Sequence, residues 1–471
     1  MGSKLLVRSY NVGCGDCTYL RIPNGDDHFH MLIDCGSKEG ANTGVMERAI
    51  KHMADHMLPK IVGSNKKRLD LIVVTHRHED HIKGFDPKFF KNIVIKNIWI
   101  TAAMDESHKQ AEKSLALHKF ASTAMQELAE SGAALSPELI DLVALYGIRN
   151  EGATTALTKT LPEDNAIKPT YVYAGKTSDD FGISIKDTKI FVLGPEQDID
   201  GYYLGKEADE NLRGIQDTSA HFRGRSVPVE EAAPTNISIG DFRTLQSRLL
   251  SNALAFAVDD SDIQNNVSTV LLIEWGKRRL LFVGDAQWEE AYQEGKKNSS
   301  WNVMWHVRKD KLSKPIDFFK VGHHGSYNAT PWNRHADANH EVNQIFDAIL
   351  PLPEPGDPPT AKCVVSTKRK QYKTIPDSEL MTEIGRRVCN TRTYLTMFQE
   401  ADPNFDPDTD IYNYSVMKSY SAEPTPREVG DKGWLDEPQP MRTDMESAGK
   451  DLEQMLETIE FIDVEIGSND D

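Results

Sequence analysis

The chain has 471 residues, of which 39% are hydrophobic and 27% are charged, so it has enough apolar material for a folded core and is not wholly disordered. Its 54 basic and 72 acidic residues give a formal net charge of −18, which excludes a general electrostatic attraction to nucleic acid. No run approaches the roughly 18 apolar residues of a membrane span, and the start lacks an apolar signal segment, so we expect a soluble, cytoplasmic protein with no membrane partner.

Short apolar runs separated by turns predict a β-rich first hundred residues. Strands are predicted over 5–12, 18–22, 30–34, 69–74 and 93–100. Apolar residues at spacings of three and four between Val45 and Met57 predict a helix between the third and fourth of these strands. Alternation of strands and helices is typical of an α/β fold.

Two polar stretches, 104–160 and 196–262, interrupt this pattern. The first is helical in composition and has no strand signal, and the second is mixed, with a helix predicted over 242–257. Strand signals return between and after them, at 170–174, 188–193, 267–275, 279–283, 317–321 and 361–366. We therefore predict one domain over 1–400 that carries both stretches as insertions.

The composition changes to Asp, Pro, Tyr and Ser after about residue 400. Residues 441–471 hold ten acidic residues against two basic ones, a net charge of −8, and an apolar stripe predicts a short helix over 444–459, followed by a polar end. We interpret 401–471 as an acidic C-terminal extension that docks on the chain itself or on a partner protein, or that mimics nucleic-acid charge.

The five cysteines are too few and too scattered for a disulfide framework. Cys14 and Cys17 have the spacing of a redox or zinc pair, but no second pair completes a four-ligand zinc site. We interpret both as small packing residues in a reducing compartment.

The strongest chemical signal is the run Thr75–His81, which directly follows the apolar strand 69–74. Its three imidazoles, His76, His78 and His81, and the carboxylate of Asp80 lie at a strand end, where α/β folds place ligands. Neutral imidazoles and carboxylates are donors that zinc, manganese or iron take. Such density in one turn predicts a metal site rather than a chance polar loop.

Two later strand ends add candidates. The apolar run 280–283 ends at Gly284-Asp285, whose carboxylate could bridge two metals, and the strand 317–321 leads into His323 and His324. Adjacent side chains on an extended chain point in opposite directions. We therefore expect one of these histidines to face a metal and the other to orient substrate or protonate a leaving group.

Five motifs in chain order resemble the hydrolase domain of the competence protein ComEC. The five are similar to ComEC's DVGQGDA, LIDTG, N-x-x-S, GD and HHGS, and the run His-x-His-x-Asp-His after an apolar strand is in addition the hallmark of metallo-β-lactamase-fold hydrolases. They stand here at 11–17, 32–36, 265–268, 284–285 and 323–326. The resemblance extends to about residue 394 and implies an αββα sandwich interrupted by the two insertions.

The resemblance also implies the site and one or two divalent ions, Zn²⁺ or Mn²⁺, as the cofactor. The implied metal ligands are His76, His78, Asp80, His81, Asp285 as the bridge, His323 and His324. The implied catalytic residues are Asp80, His324 and Asp34, and Asp34 would hold a ligand histidine in its tautomer. The family's late Asn-x-Tyr-Gly-His-Pro-like segment is replaced by 371–376, which has no histidine. His335 or His340 could substitute, but we interpret both as surface residues.

Metal ions bound at this site would activate a water molecule as a nucleophile, so we predict that the protein is a hydrolase. The resemblance implies a nuclease or phosphodiesterase that acts on DNA or RNA, and by analogy an accessory protein of a bacterial defence or DNA-processing operon. Local positive charge could come from Lys320, Arg77, Arg223 and Arg225, although we expect each of them at the solvated surface.

Two alternatives stay open. The net charge favours a small-molecule ester or lactone hydrolase, and the missing late histidine is compatible with a non-catalytic, metal-bound scaffold whose insertions or acidic tail bind a partner protein. A basic channel at the metal cleft would favour the nuclease, and a closed apolar pocket would favour the small ester.

Overall fold

The structure, a computed structural model, describes residues 4–39, 43–130, 140, 142–143, 146, 148–205, 254–337, 339–353, 361–368, 372, 374–388, 441–442, 459 and 461–467. The strands are β1 Lys4–Tyr10, β2 Thr18–Asn24, β3 Asp27–Ile33, β4 Lys67–Leu69, β5 Leu71–Val74, β6 Ile93–Ile95, β7 Ile98–Thr101, β8 Thr170–Val172, β9 Thr188–Gly194, β10 Val270–Trp275, β11 Arg278–Phe282, β12 Phe318–Val321, β13 Lys362–Val365, β14 Met441–Arg442 and β15 Phe461–Gly467. The α-helices are Val45–His52, Glu79–Ile82, Pro87–Phe90, Glu112–Glu130, Ile148–Thr155, Leu161–Asp164, 254–266, Ser300–Leu312, Glu341–Ile349 and Ser378–Val388. None of these described helices has both the length and the apolar composition to cross a membrane.

Within the described residues, the strands form two large sheets and one small one. The first sheet has the order β15-β1-β2-β3-β5-β7-β8, the second has the order β14-β13-β12-β11-β10-β9, and β4 pairs with β6. Strands β3 and β5 are parallel, and so are β11 and β12. Because parallel neighbours end at the same edge of a sheet, the residues that follow these strands lie side by side.

Apolar side chains are buried on both faces of both sheets. Successive side chains of a strand point to opposite faces. One hydrophobic cluster therefore contains side chains of β5 and β11 together, while the alternate residues of β5 pack with helix Val45–His52. The alternate residues of β11 pack with helices Ser300–Leu312 and Glu341–Ile349. The predicted α/β class is confirmed.

The predicted strands appear, with two of them divided. The run 69–74 spans β4 and β5, and the run 93–100 spans β6 and β7. The described part of 104–160 is mainly helical and contains no strand. In the second insertion the structure describes 196–205 and 254–262, so Arg223, Arg225 and most of the helix predicted over 242–257 lie outside the described residues.

The end of the chain differs from the sequence interpretation. The helix predicted over 444–459 lies outside the described residues except for Ile459, but the predicted polar end is strand β15, which pairs antiparallel with β1 along its whole length. Val464 and Ile466 enter the cluster between the sheets. The alternate acidic residues pair with β1, since Lys4 Nζ lies 2.6 Å from a Glu465 oxygen and Arg8 contacts Asp463 at 2.6 Å. This segment of the extension docks on the chain itself.

Candidate metal centre

The candidate metal centre lies where β3, β5, β11 and β12 end. His76 and His78 follow β5, and the short helix Glu79–Ile82 carries Asp80 and His81. All four side chains are buried, with exposed fractions of 0% to 6%. The histidine-rich motif is therefore a polar cluster inside the protein rather than a surface loop.

Asp34, directly after β3, orients one of these imidazoles. Its Oδ2 lies 2.7 Å from His81 Nδ1, and Thr75 donates to the same carboxylate from its backbone N–H at 2.7 Å and from its hydroxyl at 2.6 Å. Because Nδ1 of His81 is engaged by Asp34, Nε2 is the nitrogen that faces the centre.

Asp285 comes from the second sheet and lies between imidazoles of the first. Donor atoms of His76, His78 and Asp285 lie within 4.8 Å of one another. His76 Nε2 is 3.7 Å from Asp285 Oδ2, and His81 Nε2 is 3.1 Å from Asp285 Oδ1. A carboxylate with one oxygen toward each of two imidazoles suits the bridging position that the resemblance implies.

His323 and His324 occupy a left-handed turn rather than an extended segment. Their φ angles are 44° and 54°, so the expectation of opposed side chains on an extended chain does not hold. His324 is buried, with Nδ1 2.9 Å from the Ser366 carbonyl and Nε2 2.9 Å from Asp80 Oδ2. His323 donates its backbone N–H to Asp285 and keeps 24% of its side chain exposed. Both histidines thus contact the centre, through different carboxylates.

Several donor atoms of this cluster have no hydrogen-bond partner although they are buried. They are His76 Nε2, Asp80 Oδ1 and His323 Nδ1. An unpaired buried polar atom is costly, and most such atoms in folded proteins have a partner. Nitrogen and oxygen donors that converge on one space are the ligand set of a divalent metal ion, so these residues fit the implied metal.

The two carboxylates of the centre are held in their charged form. Burial opposes ionisation of Asp80, but Lys38 and the hydrogen bond from His324 hold the pKa of that carboxyl well below its usual range. Burial likewise opposes ionisation of Asp285, but the imidazoles of His81, His323 and His76 hold its pKa well below the usual range. Negative charge is therefore available at both positions.

A cavity of about 750 Å³ opens onto the centre. We call seven of the side chains that line it the rim. The rim consists of Lys38, Leu142, Leu254, Val258, Tyr327, Tyr372 and Ile375. Its members come from loops and from the helical insertions, whereas the donors come from strand ends.

Lys38 and Tyr372 form a polar pair in the rim, and neither was predicted from the sequence to have a role in the site. Lys38 Nζ donates to the Tyr372 hydroxyl at 2.7 Å and lies 3.5 Å from Asp80 Oδ2. Burial opposes the charge on Lys38, but Asp80 raises the pKa of its ammonium above the ordinary value. Two features of the sequence could have indicated these residues. Lys38 lies just after the motif 32–36, and Tyr372 lies in the segment 371–376, which has no histidine.

Of the cationic side chains considered as a source of local charge, Lys320 and Arg77 do not line this cavity, and Arg223 and Arg225 lie outside the described residues. Lys320 is buried and contacts Asp16 Oδ1 at 2.6 Å, so its charge is neutralised inside the protein. Arg77 donates to the Ala103 carbonyl at 2.8 Å, on the side of the first insertion. The expectation that they are solvated surface residues is wrong for Lys320, whose side chain is buried because it pairs with a buried carboxylate.

The two histidines considered as substitutes lie elsewhere. His335 is exposed, and the Nδ1 of His340 accepts the N–H of Val342 at the start of helix Glu341–Ile349. Neither lines the cavity.

Comparison with known families identifies the first part of the chain. Residues 11–166 match the model of the metallo-beta-lactamase superfamily. The match includes Asp34 and the motif 76–81, and it ends before Asp285. Residues 11–166 are therefore similar to the metallo-β-lactamase superfamily, whose members are generally metal-dependent hydrolases that use divalent ions, and the mixed α/β fold is consistent with that superfamily. No curated protein matches the chain.

Proposed function

We propose that the protein hydrolyses phosphodiester bonds in a short single-stranded segment of DNA or RNA or in a nucleotide ester. The position of Lys38 carries this proposal, because its ammonium lies 3.5 Å from Asp80 and faces the same cavity as the metal donors. A fixed cation next to a metal centre suits an anionic phosphoryl group better than a neutral ester.

A divalent ion bound here would lower the pKa of a water molecule and polarise a phosphoryl oxygen. His76, His78 and Asp285 would hold it, and Asp34 would keep Nε2 of His81 directed toward it. Lys38 donates to the Tyr372 hydroxyl, which fixes the ammonium where it can bind a phosphoryl oxygen.

The two adjacent histidines suit different tasks. His324 is fixed between the Ser366 carbonyl and Asp80 and is buried, so it suits metal binding. His323 is partly exposed at the cavity, so its imidazole suits contact with substrate or proton donation to a leaving oxygen. The sequence interpretation named His324 both as a metal ligand and as a catalytic residue and left open which of the two histidines faces the metal; this proposal gives the metal to His324.

The rim argues for a short substrate. Among the described lining residues Lys38 is the only Lys or Arg side chain, so they do not form the basic channel that a long duplex requires. Tyr327 is 62% exposed and Tyr372 is half-buried. Aromatic side chains at a cavity mouth can stack on bases, which contributes about 1–3 kcal/mol per base.

Three apolar side chains of the rim, Leu142, Leu254 and Val258, belong to the helical insertions, and hydrogen bonds link these insertions to each other. The buried Asp260 accepts from the Tyr146 hydroxyl at 2.7 Å and from Gln264 at 2.9 Å, and it lies 2.7 Å from His118 Nδ1. These contacts link helices Glu112–Glu130 and 254–266. The wall that they support is therefore preorganised to bind a base or another apolar group.

A second candidate is an uncharged ester or lactone. The observation that favours it is the apolar wall of Leu142, Leu254 and Val258 beside the centre. An apolar acyl group would gain the same burial there as a base.

The test compares anionic and neutral substrates with the manganese- and zinc-loaded protein. The panel contains a bis-aryl phosphodiester, dinucleotides, single- and double-stranded DNA and RNA, an aryl ester and a lactone. Lys38→Met should lower kcat/KM for the phosphodiester about 10- to 100-fold, since a hydrogen bond to a charged group contributes about 1.5–3 kcal/mol. The matched control is Lys88→Met, because Lys88 is exposed, contacts Asp86 and Phe89, and does not line the cavity.

Each result distinguishes the candidates. Faster turnover of the aryl ester or lactone, with no effect of Lys38→Met, would favour the second candidate. No hydrolysis of any substrate by the metal-loaded protein would favour a scaffold that binds a partner protein.

A further inference from the structure

The loop between β1 and β2 lies against the metal centre. Asp16 donates its backbone N–H to the Asp80 carbonyl at 2.9 Å, and Lys38 donates its backbone N–H to the Cys14 carbonyl at 2.7 Å. A Cβ on Gly15 would lie 2.3 Å from the Gly36 carbonyl oxygen, so only glycine permits this approach. Backbone contacts on both sides of Cys14 therefore fix its position beside Asp80.

Cys14 faces donor atoms rather than the hydrophobic core. Its sulfur, a carboxylate oxygen of Asp80 and a ring nitrogen of His324 lie within 4.8 Å of one another, and all three residues are buried. Asp80 Oδ1 has no hydrogen-bond partner. His324 places Nδ1 at the Ser366 carbonyl, which leaves Nε2 on the side of this group.

The other cysteines near the centre have different surroundings. Cys17 and Cys35 belong to the hydrophobic cluster on the helix-covered face of the first sheet, and Cys14 belongs to none of the described clusters. The structure therefore agrees with the interpretation of Cys17 as a packing residue, whereas Cys14 has a different environment.

We propose that Cys14 is a thiolate ligand of a metal ion that Asp80 and His324 also bind. The inference rests on the metal centre proposed above but not on the choice of substrate. Two departures from the resemblance then explain each other: this chain has Cys14 where ComEC's DVGQGDA has glutamine, and it lacks the late histidine in 371–376. The thiolate supplies the donor that the missing imidazole would have given.

The proposal predicts two chemically different metal positions. His76, His78 and Asp285 offer nitrogen and oxygen, whereas Cys14, Asp80 and His324 add sulfur. Thiolate ligands favour zinc over manganese. The Cys14 position should therefore retain zinc in the presence of excess manganese.

The first test uses the full-length cobalt-substituted protein. Wild type should show a thiolate-to-cobalt charge-transfer band in the near ultraviolet. Cys14→Ser should lose this band and bind less metal, and the matched control Cys17→Ser should keep both. A wild-type spectrum without the band, or a folded Cys14→Ser protein that keeps the band and its metal, would overturn the proposal.

A second measurement does not depend on a variant that folds. X-ray absorption of the zinc-loaded wild-type protein should show a sulfur neighbour at about 2.3 Å, the usual Zn–S distance. A shell of nitrogen and oxygen alone rejects Cys14 as a ligand. Both measurements report on metal ligation, so sulfur ligation without phosphodiester hydrolysis would reject the proposed function and leave this inference standing.

Discussion

The donors of the candidate metal centre and the rim of the cavity come from different parts of the fold. The donors His76, His78, Asp80 and Asp285 are 0% to 6% exposed and lie within a few residues of the ends of buried strands. The rim is more accessible, with Val258 51% and Tyr327 62% exposed, and it comes from insertions and loops. A buried cluster of polar donors is costly unless it binds a ligand, whereas an exposed rim can change at little cost in stability. We therefore expect the donors to determine the reaction and the rim to determine the substrate.

The largest expected effect is the loss of a donor. His78→Ala or Asp80→Ala should remove metal and lower kcat by about 10³-fold or more, because a metal contributes several kcal/mol to transition-state stabilisation. Metal analysis and turnover of the phosphodiester measure both changes. The control is His335→Ala at the exposed surface. Equal metal content and activity in the folded variants would remove the assignment of the donors.

A change at the rim should act on substrate binding and leave the metal in place. Tyr327→Ala should raise KM for a dinucleotide about 5- to 100-fold, the equivalent of about 1–3 kcal/mol of stacking, with little change in kcat. Tyr327→Phe keeps the ring and should restore binding. If kcat falls and KM does not change, or if phenylalanine behaves like alanine, Tyr327 does not stack on a base and the proposed difference between rim and donors fails.

A buried histidine away from the centre provides the comparison for those within it. Burial lowers the pKa of His30 to about 4, and its Nδ1 lies 2.6 Å from the Tyr19 hydroxyl. Between pH 6.5 and 4 the His30 side chain is protonated in the unfolded chain but stays neutral in the folded protein. The contribution of His30 to the free energy of unfolding is therefore fully present above pH 6.5 and is lost as the pH falls toward 4. The expected loss is about 2–3 kcal/mol.

Urea unfolding at several pH values measures this loss. His30→Gln should flatten the dependence of the free energy of unfolding on pH between about 6.5 and 4, relative to wild type. Metal release affects both proteins alike and cancels in the comparison. Identical slopes for the two proteins would show that His30 does not titrate with folding.

The positions of many strands could be predicted from the hydropathy of the sequence, because a strand that is buried on both faces is an uninterrupted apolar run. The run 69–74 located β5, and the run 280–283 located β11, with one polar residue, Asp70, dividing the first run into two strands. Strand β15 was not predicted from the sequence. Its buried Val464 and Ile466 alternate with Asp463 and Glu465, and in a segment of net charge −8 that alternation resembles a polar end. Pairing with Arg8 and Lys4 of β1 compensates the acidic side chains.

The sequence by itself determined the donor types, because imidazoles and carboxylates gathered after apolar strands leave few alternatives to a metal site. Only the tertiary structure decided which side chains surround those donors. Lys38 and Tyr372 are far apart in the chain yet share a hydrogen bond, Lys320 is paired with Asp16, and Cys14 faces Asp80 and His324. The physical reason is that a strand end is a local feature of the chain, whereas a contact between loops depends on how the two sheets pack.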